Sequence, residues 1–411
     1  MITRSRKAVI GAVVVAAATG TVLALPGASA SPQVATAARA NIAPTPATVA
    51  GIDAFAADLY RGGTNRRNVI FSPYSIEVAF SMLRAGATGA TAKDLDKVLH
   101  FTSSSRDAAF ANITKHVVTQ AGPPPTSSSN DTYGPPIVTI ADALWAQQGA
   151  TIEKAFAARV ATYYGAGLQR VDYGAPGAVQ TINDWVSKRT AGLIKKLFDG
   201  LPASTKLVLA NALYLKAGWE HAFSAPRPGT FTTPAGAKQA PLMSETEHMV
   251  WAQSDGWKAA LVPYIGGHLG MWVIVPTKGT APGKVLSAAT LATLAAAKAT
   301  ESVRLTMPTW KTTTTIELMP VLRRFGLTHL GGLSGIGPGL SVTDAIHTAT
   351  ITVTKDGTEA AAVTGVVVGT AAEVFNDIHV LRADHPFAYA IVDRQTNTPL
   401  FVGSVSDPTG S

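Results

Sequence analysis

Apolar residues recur steadily from Thr48 to Asp407, and their spacing changes along the way. Early in the chain the spacing is helical. Ile52, Phe55, Ala56 and Leu59 fall at i, i+3, i+4 and i+7, which predicts an amphipathic helix. Thr91 is placed to cap a second helix running to Leu99, and further helical patterns lie near residues 151–163 and 176–198. Later segments are short, apolar and β-branched, and read as strands: Lys206–Lys216, Leu261–Val262, Met271–Val275, Val303–Met307, Ile346–Val353 and Pro399–Val405. Helices first and strands later predict one α+β domain over residues 49–411. Gly122 to Pro136 (GPPPTSSSNDTYGPP) interrupts the pattern and reads as a surface loop. No fixed-period repeat is present.

The N-terminus has a different pattern. Arg4, Arg6 and Lys7 precede an apolar run from Ala8 to Leu25, and Ala28-Ser29-Ala30 offers a small-residue cleavage site. Residues 1–30 therefore read as a secretory signal peptide, and the protein is expected to be secreted and extracellular. The run is also about long enough to span a bilayer; the cleavage site and the sequence after it favour removal over anchoring. Residues 31–48, rich in Ala, Pro and Thr, read as a leader or linker.

Composition narrows the chemistry. Hydrophobic residues are 46% and charged residues 15%, too apolar for a disordered chain. The absence of cysteine rules out disulfides, thiolate metal sites and a cysteine nucleophile. No two histidines have H-x-x-x-H spacing, and there is no G-x-S-x-G elbow, S-x-x-K pair or Walker A loop. Gly335-Ile336-Gly337-Pro338-Gly339 is glycine rich, but its proline argues against a phosphate cradle. The net charge of +8 is spread thinly, and Lys188, Arg189, Lys195 and Lys196 carry no interleaved aromatics, so nucleic acid is not an expected partner. The chain reads as a non-enzyme, with no cofactor, no metal and no catalytic residue.

One segment points two ways. Lys355 to Phe375 (KDGTEAAAVTGVVVGTAAEVF) follows a strand and is dominated by Ala, Val, Gly and Thr. At period two, Thr358, Ala360, Ala362, Thr364, Val366 and Val368 form a face with no charge and no large side chain. Such a run can pair on both edges inside a sheet. Yet Gly357, Gly365, Gly369 and three successive alanines weaken a fixed strand. The composition fits an exposed loop that becomes a buried strand; it also fits an ordinary central strand and its connection.

At these residues and several others the chain resembles the serpin family. Asn68 to Ile76 (NVIFSPYSI) is similar to the family's N-x-x-x-S-P-x-S-I, and Gly86 to Thr91 (GATGAT) to G-A-x-G-x-T. Asn183-Asp184-Trp185-Val186 matches N-x-W-V, and Asn211 to Phe223 (NALYLKAGWEHAF) resembles the strand closing in K-G-x-W-x-x-x-F. Val342 to His347 (VTDAIH) sits the usual distance before the glycine at 357. Ala383 to Phe387 (ADHPF) and Pro399 to Gly403 (PLFVG) complete a likeness running from about residue 50 to Pro408.

The resemblance implies three β-sheets, eight or nine helices and an exposed reactive-centre loop over 357–375. It also implies a suicide-substrate inhibitor of serine proteases, monomeric and forming a 1:1 covalent complex. The alternative is a non-inhibitory binding or carrier protein. On the family's pattern the hinge is Gly357, Thr358, Glu359, Ala360, Ala361 and Ala362. Ser72, Ser75, Asn211 and His347 match the polar cluster beneath the sheet (the shutter), and Trp219 the top of the sheet (the breach). Spacing from the hinge glycine puts the scissile bond at Ala371–Ala372. Spacing back from Pro386 puts it at Phe375–Asn376. No Lys or Arg lies between Gly357 and Phe375, which disfavours a trypsin-like target and favours elastase-like or subtilisin-like enzymes. The chain departs from the family at Lys355 and Thr309, where an acid and a base usually pair across the top of the sheet.

Overall fold

The computed structural model describes residues 46–63, 68–102, 105–119, 123–124, 135–165, 168–358 and 377–410. The helix predicted from Ile52 spans Pro46–Gly63, and its four signature residues are fully buried. The second predicted helix is Gly89–Val98, but its cap lies at Thr88. Thr91 sits inside the first turn, where its hydroxyl instead accepts from the Gly332 amide at 3.0 Å. The pattern near 151–163 forms Lys154–Tyr164, and that near 176–198 forms Ala178–Arg189. The latter ends early because Ala191 and Gly192 take positive φ. The predicted strands form as Leu207–Gly218, Trp257–Pro263, Leu269–Pro276, Thr300–Pro308 and Val342–Val353, each extended at one or both ends, and Pro399–Val405 has its predicted bounds.

Two hydrogen-bonded networks organise these strands among the described residues. One has nine strands. The nineteen-residue strand Gly236–Ser254 pairs with Arg227–Thr233 and Thr300–Pro308 along its length and with Trp257–Pro263 near its end, so two of the three expected sheets run together. The other network has six strands, in the spatial order Trp310–Glu317, Val342–Val353, Gly357–Thr358, Leu207–Gly218, Ile137–Gln147 and Leu168–Val171.

The centre of this six-stranded sheet is buried on both faces. Along Leu207–Gly218, Val208, Ala210 and Ala212 pack toward Ile182 and Val186 of helix Ala178–Arg189. The alternate residues Leu207, Leu209, Leu213 and Leu215 join the main core. The near-continuous apolar run of this strand follows from that two-sided burial. Edge strand Trp310–Glu317 shows the contrasting strict alternation: Trp310, Thr312, Thr314 and Ile316 are buried and the residues between them exposed. Asn183 ties the covering helix to the chain that follows it. Its side chain accepts from the Leu197 and Phe198 amides and donates to the Phe198 carbonyl, which accounts for the Asn of N-x-W-V. No helix among the described residues is long and apolar enough to cross a membrane.

Candidate functional site: a forked sheet and its hinge

Strands Leu207–Gly218 and Val342–Val353 run parallel and are paired only from Leu207/Val342 to Asn211/His347. Beyond that point they part. At the far end Gly357–Thr358 lies between them, with Gly357 opposite Gly218 and Thr358 opposite Ala217 on one side and Val353 on the other. The sheet is therefore a fork, closed at its base and plugged at its mouth by two residues. Below the plug lies a small cavity lined by Leu215, Thr350, Ile351, Thr352 and Thr358, with Ile70 beneath. Its volume of about 10 Å³ admits no more than about one water.

The plug needs a glycine. A Cβ on Gly357 would fall 2.3 Å from the Ala217 carbonyl oxygen, so only the bare backbone fits against the neighbouring strand. Thr358 is 2% exposed, and its hydroxyl bonds the Tyr264 hydroxyl at 2.6 Å. Tyr264 stacks flat on Trp219, with ring centroids 4.5 Å apart, and Trp219 meets Phe223 edge-on. Trp219 also grips the turn that delivers the plug. Its indole N–H donates to the Thr354 carbonyl at 2.9 Å and its amide to the Asp356 carbonyl at 3.0 Å, while the Phe223 amide donates to the Lys355 carbonyl. Lys355 finds its counter-charge next door, with Nζ 2.5 Å from Asp356. No cross-sheet partner at Thr309 is needed.

At the base of the fork lies the polar cluster. Ser72 caps helix Pro73–Gly86, its hydroxyl accepting the Ser75 amide at 3.0 Å with Pro73 in the first turn. That geometry accounts for the S-P-x-S signature. The Ser72 amide donates to His347 Nε2 at 3.0 Å. Nε2 must then be unprotonated, so the proton sits on Nδ1 and is donated to Asn211 Oδ1 at 2.8 Å. Complete burial holds the imidazole neutral, lowering its pKa to about 3. The Asn211 amide donates to the Ser75 carbonyl at 2.8 Å, and also bonds the Ser75 hydroxyl and Asp142 Oδ1. Ser72, Ser75, Asn211 and His347 are thus brought into one chain of bonds, and Asn211 and His347 are the last pair before the strands separate. Asp142 and Tyr264 were not anticipated. Asp142 was detectable as the lone acid in the apolar strand Ile137–Gln147. Tyr264 carried no signal, since only the bridge between Trp219 and Tyr264 brings it to the hinge. Burial pushes the Asp142 carboxyl up to about 8, and its Oδ2 has no partner.

Among the described residues no cluster of His, Asp and Glu could hold a metal. The other expected hinge residues, Glu359 to Ala362, and both candidate scissile bonds, Ala371–Ala372 and Phe375–Asn376, lie outside the described residues.

Comparison with known proteins decides the family. The model of the serpin (serine protease inhibitor) family matches residues 50–408. The chain belongs to the serpin family. An uncharacterized serpin-like protein of Thermococcus kodakarensis is 34% identical over 88% of this chain and 85% of its own length. Among solved structures, the native state of tengpin, a thermophilic serpin, superposes with a TM-score of 0.76 at 24% identity, covering 87% of this chain and 94% of tengpin. Thyroxine-binding globulin in complex with thyroxine superposes at 0.74 with 23% identity, covering 88% of this chain and 99% of its own. Serpins are generally protease inhibitors rather than enzymes, with some members that carry ligands instead.

Proposed function

We propose that this serpin is an irreversible suicide-substrate inhibitor of serine proteases, elastase-like or subtilisin-like in preference. The observation that carries the reading is the plug: Gly357–Thr358 is already paired as strand between the two arms of the fork, with Thr358 buried. A protease serine attacks a carbonyl in the following segment, at Ala371 or at Phe375, and forms an acyl-enzyme ester. Freed at the cut, the segment continues the strand that Thr358 begins. Residues with the parity of Thr358 (Ala360, Ala362, Thr364, Val366) carry no charge, so their burial incurs no ionic desolvation cost. The new strand would be antiparallel to both neighbours. It would replace the short parallel ladder with two antiparallel ones, the more stable pairing per residue. The tethered protease is dragged along, and its triad and oxyanion hole lose their geometry before water attacks the ester.

An exported protein, matured by loss of residues 1–30, would meet such proteases outside the cell as a monomer in a 1:1 covalent complex. A second reading is a ligand-carrying serpin, favoured by an open cavity of about 680 Å³ bordered by Val49, Asp53, His116, Ala292 and Asn397. Incubation with elastase or subtilisin separates the two. An SDS-resistant band of the summed masses supports the inhibitor; cleavage in the loop without such a band, for both proteases, overturns it.

A further inference from the structure

Four helices contribute side chains to a second polar cavity, remote in sequence from the hinge. Arg84 comes from the last turn of Pro73–Gly86, Asp96 from Gly89–Val98, Arg106 from the start of Arg106–Val117 and Arg159 from Lys154–Tyr164. With Phe101 and Thr102 they line a space of about 280 Å³, large enough for a tetrahedral oxyanion and its water. Three arginines and one aspartate are among the residues that line it. That carboxylate is already neutralised, because Asp96 accepts two bonds from Arg84 at 2.7 and 2.8 Å.

Arg84 is paired with Asp96 at the cavity wall, and the other two arginines share a second carboxylate. Asp107 is buried and takes bonds from Arg106 Nη2 at 2.6 Å, from Arg159 Nε and from the Tyr164 hydroxyl at 2.7 Å. Arg106 is buried, with its charge over the Phe101 ring at 5.2 Å, yet its Nε has no acceptor and its Nη1 lies 3.9 Å from Asp96. Arginine is seldom buried without full pairing, since each unmet donor loses its hydration. A fixed array of cationic forks around a void is the arrangement that recognises a phosphate or sulfate group.

We propose that this cavity binds one tetrahedral oxyanion, clamped by Arg84, Arg106 and Arg159. The bound ion ties together the three helices that carry these arginines and stabilises the native fold. Titration calorimetry of the purified protein with inorganic phosphate, and separately with phenyl phosphate, at constant ionic strength tests it. One-to-one saturation by either probe is expected; equal affinities assign the free ion, and tighter binding of the ester assigns a phosphomonoester. Arg159→Gln, at a half-exposed position, should weaken binding about tenfold or more while leaving near-ultraviolet circular dichroism unchanged. Arg84→Gln should act likewise if it folds. The midpoint of thermal unfolding should rise with millimolar phosphate in the parent and less in Arg159→Gln. No saturable heat with either probe, or equal binding by parent and Arg159→Gln, overturns the site.

Discussion

Asp142 shows how one residue can set the response of the fork to pH. Its carboxyl titrates near 8 in the fold against 3.8 for an ordinary aspartate. Across that window the native state holds a proton that the unfolded chain has released, so stability falls as pH rises toward and through 8. His347 acts in the opposite sense. Its pKa, lowered from 6.5 to about 3, costs stability as pH drops below 6.5. Asp53, raised to about 7, and buried Glu77, raised beside it, share the sign of Asp142. Between pH 6.5 and 8 these buried carboxyls make stability fall as pH rises. Asp142→Asn keeps an acceptor for Asn211 and removes the titration. Denaturant unfolding should show the variant gaining on the parent as pH rises through this range, at up to about 1.4 kcal/mol per pH unit. A constant difference between the two would mean that Asp142 is already ionised in the fold. The polar cluster was legible as residue types, because S-P-x-S, Asn211 and His347 stand in recognisable motifs. Their bonding was not, since His347 and Ser72 are 275 positions apart.

At the scale of elements, the hinge is a two-residue strand held by side chains from outside its own sheet. Thr358→Arg places a charge where the hydroxyl meets Tyr264. Such a side chain cannot be buried unpaired, so it should expel the plug and stall insertion. On a gel the variant should be cut as an ordinary substrate, with little stable complex; trapping at full stoichiometry would show that this face does not insert. Tyr264→Phe is milder. It removes one hydrogen bond, should lower stability by about 1 kcal/mol, and should speed amide exchange at Thr358 in particular. Unchanged exchange there would mean that the backbone ladder alone holds the plug. The period-two pattern from Thr358 was readable in advance, and its first member faces inward. Where the segment stands was not readable, because the same alanines and glycines suit a loop as well as a strand.

For the whole molecule, the native sheet is incomplete: two central strands share a parallel ladder over less than half their length. Inserting the loop would fill the fork and replace that ladder with antiparallel pairing. Limited proteolysis between residues 359 and 376 should therefore raise the thermal midpoint markedly in a calorimetric scan, with no loss of the protein core. An unchanged midpoint after clean cleavage would argue for the carrier reading, in which the loop stays out.

The linear pattern by itself determined four of the helices, six of the strands, the α+β class and the motif residues, because periodicity and capping act within a few residues of the chain; the order of helices first and strands later did not hold, since strands Asn68–Phe71 and Ile137–Gln147 fall among the early helices. The pattern also determined that the segment after Gly357 is free of charge on one face, a property of composition alone. Only the tertiary structure decided that the two central strands part at Asn211 and His347, that Gly357 must lie bare against Ala217, and that Asp142 and Tyr264 belong to the site. The same holds for the gathering of Arg84, Arg106 and Arg159 at one cavity. These features arise from contacts between distant segments, where burial and the pairing of polar groups outweigh local preference.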